Sequence, residues 1–206
     1  MRTVVLQADE SGAVERAAHM LREHHLVAIP TDTVYGLGAL AFNADDVAAL
    51  YRAKERPLDK AIAVLLADTS MVDLVADHVP DVARRLMDKF WPGALTVIVP
   101  KRMGVPDVVS GGATVGLRVP ALDVTRRLLA LTGPLAVTSA NRSGQTSPRS
   151  AQEVLGQLEG RIHAVLDGGQ TGGVPSTVVD CSYTPPSIVR AGPISEAQLR
   201  AVVRLA

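Results

Sequence analysis

Four cations, Arg52, Lys54, Arg56 and Lys60, fall within nine residues of the sequence. Pro57 prevents that stretch from continuing as a helix. Lys54 and Arg56 flank the predicted helix-to-loop transition, so both side chains can reach one anion. A guanidinium fork beside an ammonium point charge suits a polyphosphate. The competing reading is a solvated helix end, where Lys and Arg complement the helix dipole. A second polar stretch runs Thr138-Ser139-Ala140-Asn141-Arg142-Ser143-Gly144-Gln145-Thr146-Ser147-Pro148, directly after an apolar segment. Its hydroxyls, amide and backbone N–H groups could hold phosphate oxygens and a ribose, or form an ordinary surface loop. A third, Pro30-Thr31-Asp32-Thr33-Val34-Tyr35-Gly36-Leu37-Gly38, reads either as polar groups aimed into a crevice at a sheet edge or as a hydroxyl turn followed by bending glycines. Arg118 and Arg190 each interrupt an apolar run. A buried guanidinium there requires a protein ion pair or an anionic ligand.

Familiar alternatives are missing. Gly168-Gly169-Gln170-Thr171-Gly172-Gly173 is glycine-rich, but Val174-Pro175 stands where a P-loop carries Lys and Ser or Thr. The single cysteine, Cys181, cannot form an intrachain disulfide, and no zinc-type spacing is present. The histidines His19, His24, His25, His78 and His163 are scattered, and the first three are expected on a solvated helix face. Asn141-Arg142-Ser143 matches a glycosylation sequon, discounted because nothing in the N-terminal residues resembles a secretory signal.

These polar stretches need a scaffold, and the pattern supplies one. Val14, Ala17, Ala18 and Leu21 recur at helical spacing, and Leu26–Pro30 reads as a buried strand. Asn43 or Asp45 caps a second predicted helix carrying Val47, Leu50 and Tyr51. Further strands are expected at 61–66, 95–99, 115–119, 135–138, 164–166, 177–179 and 188–190, and helices at 82–90, 123–131 and 151–158. Alternating helices and strands predict an α/β sheet covered by helices, and the late strands without helical spacers predict some antiparallel pairing.

Of the 206 residues, 47% are apolar, and 21 basic residues balance 21 acidic ones. This composition predicts one folded domain over 1–206, with no tract long and apolar enough to span a membrane. A cytoplasmic location is the expectation. Zero net charge argues against tight stand-alone RNA binding and leaves a local, weak RNA contact open.

Read in order, Pro30–Gly38, Lys54-x-Arg56 with Pro57, Trp91-Pro92-Gly93, Gly116-Leu117-Arg118-Val119-Pro120, Ser139-x-Asn141 and Ser176-Thr177 form a series running from about Val27 to Gly192. Together they resemble the YrdC-like family of threonylcarbamoyl-AMP synthases, in its short, single-domain form. The resemblance implies a twisted mixed parallel/antiparallel sheet with flanking helices around a deep basic cavity. It implies ATP, L-threonine and bicarbonate as substrates. The threonine carbamate attacks the α-phosphorus, pyrophosphate leaves, and a tRNA threonylcarbamoyl transferase complex uses the product next to the anticodon.

By the same resemblance, Lys54, Arg56, Lys60, Thr114, Ser139, Ala140, Asn141, Pro148 and Arg190 serve ATP, and Thr33, Arg118, Thr138 and Ser176 serve threonine. Lys54 and Arg56 are expected to stabilise transition-state charge, with Ser139 and Asn141 orienting the phosphates. Magnesium is expected with ATP, and the sequence names no ligands for it. The resemblance departs at Leu65, where some longer relatives carry a threonine-contacting histidine. Two alternatives stand beside it: a non-catalytic paralogue that binds RNA or nucleotide, and a carbamate-adenylating domain of a hydrogenase-maturation protein.

Overall fold

In the computed structural model, which describes residues 2–206, ten strands form one sheet among the described residues. They are β1 (Val4–Gln7), β2 (Val27–Ile29), β3 (Gly36–Leu40), β4 (Ala63–Leu65), β5 (Leu95–Pro100), β6 (Thr114–Arg118), β7 (Leu135–Ser139), β8 (Ala164–Asp167), β9 (Thr177–Asp180) and β10 (Ser187–Arg190). Their spatial order is β1-β8-β2-β3-β7-β4-β6-β5-β9-β10. Pairing is mixed: β8 runs parallel to β1 and β2, β4 to β6 and β5 to β9, whereas β3, β7 and β10 pair antiparallel with their neighbours. The mixed α/β sheet expected from the sequence is the fold found.

The helices are α1 (Ala13–Arg22), α2 (Ala44–Lys54), α3 (Val72–Val75), α4 (Asp81–Phe90), α5 (Asp107–Ser110), α6 (Asp123–Thr132), α7 (Ala151–Leu158) and α8 (Glu196–Arg200). Helix α2 starts where the Asn43 side chain accepts the backbone N–H groups of Asp45 and Asp46, satisfying two of the orphan donors at the helix start. It buries Val47, Leu50 and Tyr51 and ends on Glu55 in the left-handed conformation, two residues before Pro57.

Strand alternation divides the core into two layers. Ala28, Val64, Ala136 and Val165 face one layer with residues of α2, α4 and α7. Val27, Ile29, Leu65, Leu135, Val137, Ala164 and Leu166 face the other, beneath α1 and α6. Helices α1 and α6 cover only part of this second face. Beyond them β5, β6 and β9 turn Leu95, Val97, Val99, Val115, Leu117 and Val179 into the first core. Their alternate residues Thr96, Ile98, Thr114, Gly116, Arg118 and Val178 line a cavity. The cavity is thus the stretch of sheet that no helix covers.

Strands β1 and β3 were not expected. Residues 36–40 read as part of a polar, glycine-bent loop, yet they form a strand between β2 and β7. Gly36 belongs there because the strands approach closely: a Cβ would lie 2.4 Å from Val137 Cγ1. Histidines His24 and His25 lie beyond the end of α1, where His24 pairs with the buried Asp46 at 3.0 Å and His25 stacks on His163 at 4.2 Å.

Candidate active site

The cavity has a volume of about 310 Å³ and is lined by Arg56, Arg118 and Arg190, by the hydroxyl residues Thr31, Thr33, Thr96, Ser110, Thr114, Thr138, Ser139, Ser147 and Ser176, and by an apolar floor that includes Ala63, Leu65, Ile98, Val137 and Val178. No carboxylate and no histidine lines it among the described residues. Only one of its three arginines has an ion-pair partner there.

That partnered residue is Arg118, whose side chain is 7% exposed. Its Nη2 donates to Asp32 Oδ1 at 2.6 Å, Nη1 to Thr33 Oγ1 at 2.8 Å, and Nε to the carbonyl of Gly93 at 2.9 Å. Asp32 also accepts the backbone N–H of Ala121 at 3.0 Å. Three separated motifs therefore meet on one guanidinium. Burial pulls it below the usual arginine range, and Asp32 opposes that shift.

Arg190 has no carboxylate partner among the described residues. Its Nε and Nη2 donate to the carbonyl of Ser176 at 3.1 and 2.8 Å, and Nη2 also reaches Ser176 Oγ at 3.1 Å. Ser176 Oγ lies 2.8 Å from Thr96 Oγ1. Burial lowers the affinity of both Arg190 and Arg56 for their protons, opposed at Arg56 by Tyr51 and Asp59.

The Lys54-Glu55-Arg56 tripeptide sends its side chains three ways. Lys54, 1% exposed, donates through Nζ to the carbonyls of Ser139 and Asn141. Burial, with the Arg56 cation beside it, pulls the ammonium down to about 7. Glu55 turns to solvent and accepts from Arg142 at 2.5 Å and Arg161 at 2.8 Å. Arg56 faces the cavity while donating to the carbonyls of Lys60 at 3.1 Å and Ala61 at 2.9 Å. Tyr51 also donates to the Lys60 carbonyl, at 2.9 Å.

A family model for the Sua5/YciO/YrdC domain, described as "Telomere recombination", matches residues 19–192. The chain belongs to the Sua5/YciO/YrdC family. It is 44% identical over 194 residues to the threonylcarbamoyl-AMP synthase of Bacillus subtilis, a match covering 92% of this chain and 56% of that protein. It is 40% identical over 197 residues to the threonylcarbamoyl-AMP synthase of Pyrococcus abyssi, covering 94% of this chain and 58% of that one. The crystal structure of P. abyssi Sua5 complexed with L-threonine superimposes with a TM-score of 0.92 at 38% identity, over 100% of this chain and 63% of that one. The chain thus spans a little over half the length of these two relatives.

In this Sua5/YciO/YrdC chain, eight of the residues expected from the sequence line one cavity: Thr33, Arg56, Thr114, Arg118, Thr138, Ser139, Ser176 and Arg190. Arg190 and Ser176, assigned to different substrates on resemblance, share hydrogen bonds. Lys54, Lys60, Ala140, Asn141 and Pro148 are not among the lining residues. Lys54 lies behind the wall formed by Ser139. Lys60 is exposed. Ala140 N–H donates to the Tyr35 carbonyl, and the Pro148 carbonyl accepts the Tyr35 N–H. The Asn141 side-chain amide donates to the carbonyls of Arg142 and Gln145 within its own loop, both at 2.8 Å, leaving Oδ1 buried without a donor.

Sequence reasoning placed Thr31 and Asp32 in a polar stretch aimed at a crevice without giving either a partner, and gave no role to Thr96 or Ser110. A polar residue at Thr96, inside the apolar run Leu95–Val99, was the available signal for one of them. Ser110 carried none, because the cavity meets it only through tertiary packing. The glycine-rich 168–173 segment is not a phosphate cradle: the Thr171 N–H bonds the Arg149 carbonyl and the Gly173 N–H bonds the Thr33 carbonyl, strapping the Thr31–Thr33 turn.

No group of three or more His, Cys, Asp or Glu able to hold a metal exists among the described residues. Oxygen donors facing the cavity are hydroxyls and carbonyls, which do not make a magnesium site by themselves.

Proposed function

We propose that this chain makes threonylcarbamoyl-AMP and pyrophosphate from L-threonine, bicarbonate and ATP. The observation that carries the reading is the convergence of two arginines without an ion-pair partner, Arg56 and Arg190, on a cavity that is rich in hydroxyls and lined by no carboxylate among the described residues. Lys54 lies just behind the wall, with Nζ on the Ser139 carbonyl. Such a site attracts a polyanion and neutralises charge on a leaving pyrophosphate. The names of the B. subtilis and P. abyssi relatives, and the L-threonine in the P. abyssi complex, support the choice of substrates.

The chemistry asks little of the protein beyond positioning. Bicarbonate carboxylates the threonine amine with loss of water, the resulting carbamate oxygen attacks the α-phosphorus of ATP, and the bond from that phosphorus to the oxygen bridging to the β-phosphate breaks, releasing pyrophosphate. The substrate is its own nucleophile, so no activated serine or cysteine is required. Arg56, with Thr114 and Ser139, serves the phosphates. Arg118 and Thr33 receive the threonine carboxylate through the N–H groups of Arg118 that Asp32 and Gly93 leave free. Magnesium would belong to the ATP substrate, where it would offset phosphate charge, and no residue of this chain is assigned to hold it. The protein would act in the cytoplasm and hand its product to a tRNA threonylcarbamoyl transferase, with any RNA contact of its own being weak.

Incubation of purified protein with ATP, L-threonine and bicarbonate is expected to release pyrophosphate only when threonine is present. Equal release without threonine, or none with it, would overturn the proposal.

A further inference from the structure

Lys54 is the unusual residue of this molecule. It is among the largest fully buried side chains, yet it forms no ion pair among the described residues. A buried ammonium without a carboxylate is costly, and the ordinary relief is loss of the proton. The acceptors around Nζ are two, the carbonyls of Ser139 and Asn141, which match the two N–H groups of a neutral amine. A third N–H has no acceptor there.

Groups around it push the same way. On its own helix end, Arg56 repels a second cation. Glu55 turns outward to Arg142 and Arg161, and its carboxylate is held on the far side by those two arginines. Tyr51 is committed to the Lys60 carbonyl. The loop after β7 offers carbonyls and the Asn141 amide but no acid. Burial brings Lys54 to about 7, close to where a bound anion could recharge it.

We propose that Lys54 is a positioning residue that takes up one proton when a polyphosphate enters the cavity. As a neutral amine it holds the Ser139 and Asn141 carbonyls in the free protein. Once an anion lies on the other side of the Ser139 wall, the amine accepts a proton from solvent and becomes the countercharge. Nucleotide affinity and the charge on the Ser139–Asn141 loop are thereby coupled to pH. The inference rests on the nucleotide-binding reading above and adds the protonation step.

The test is calorimetric. The magnesium complex of the α,β-methylene analogue of ATP is titrated into the protein, without threonine, at pH 8 in buffers of different ionisation enthalpy. About one proton is expected to be taken up per nucleotide, and affinity is expected to fall by about tenfold per pH unit above 7 as the free amine must be protonated to bind. Cys181 is pushed up to about 12 by burial, and none of the histidines lines the cavity. Lys54→Arg, with its permanent charge, is expected to bind without uptake and with a flat pH profile. Lys54→Met is expected to bind weakly, also without uptake. Binding to the unmodified protein with no proton uptake overturns this inference and leaves the synthase reading standing. Uptake that persists in Lys54→Met overturns it as well. Failure of the analogue to bind at all overturns both.

Discussion

Asp32 and Arg118 lie 86 positions apart, and their contact decides what the arginine can do. With Asp32 in place, Arg118 is a neutralised donor array held in one orientation. Asp32→Asn leaves a buried guanidinium without its charge partner, and is expected to cost about 3 kcal/mol by urea denaturation. Glu55 gives the contrast. Its two arginine contacts are half-exposed, so Glu55→Gln is expected to leave the denaturation midpoint nearly unchanged, because such pairs are screened by solvent. Lys54 makes a pH prediction with a definite sign. Its folded value of about 7 lies below the usual 10.5, so between those pH values the unfolded chain binds more protons and stability rises with pH. Below 7 the penalty is present in full. The denaturation midpoint of the free protein is expected to rise between pH 7 and 9, and Lys54→Met to lose that part of the rise.

Strand β10 and the turn after it carry Arg190 to the cavity. Gly192 makes this possible, since a Cβ there would come within 2.4 Å of Thr177 N and 2.6 Å of the Pro175 carbonyl oxygen. Gly192→Ala must push residues 190–192 away from the start of β9 and break the Arg190–Ser176 bonds. The expected cost is about 1–3 kcal/mol of stability by denaturant unfolding, as for other overpacked sites. Pyrophosphate release is expected to fall more steeply than stability does. Among the elements, α1, α2, α4, α6 and α7 were readable because an apolar stripe, a cap or a proline marks each one. Strands β1 and β3 were not. Val4–Gln7 is short and exposed at three of its four residues, and Gly36–Leu40 carries two glycines that lower strand propensity although the sheet needs them for close approach.

The chain as a whole carries no net charge, yet its cavity is cationic, because the acids sit elsewhere. Asp32 is the one carboxylate bonded to a cavity arginine among the described residues. Attraction of a polyanion is therefore local and partly shielded from salt. Raising ionic strength from about 0.05 to 0.5 M is expected to weaken binding of the methylene ATP analogue by less than about tenfold, whereas a surface phosphate-binding patch would lose several orders of magnitude. Isothermal titration at the two salt levels separates the cases. A steep loss would place the nucleotide on the outer surface rather than in the cavity.

What the amino-acid order established is considerable: the mixed α/β class, most of the elements, a single cysteine that cannot pair within the chain, and a series of polar motifs whose succession points to the family. The motifs point to the family by their resemblance to it, and periodicity is enough for the class and the elements, since it tells which face of an element is apolar. It does not tell which faces meet. The order β3-β7-β4-β6-β5-β9 brought Thr33, Ser139, Arg118, Thr96 and Ser176 to one uncovered stretch of sheet. Packing at the end of α2 turned Lys54 into the wall and Arg56 into the cavity, although they stand two positions apart. Side chains that close in sequence were separated by the left-handed turn at Glu55, because one backbone conformation at a helix end redirects everything after it.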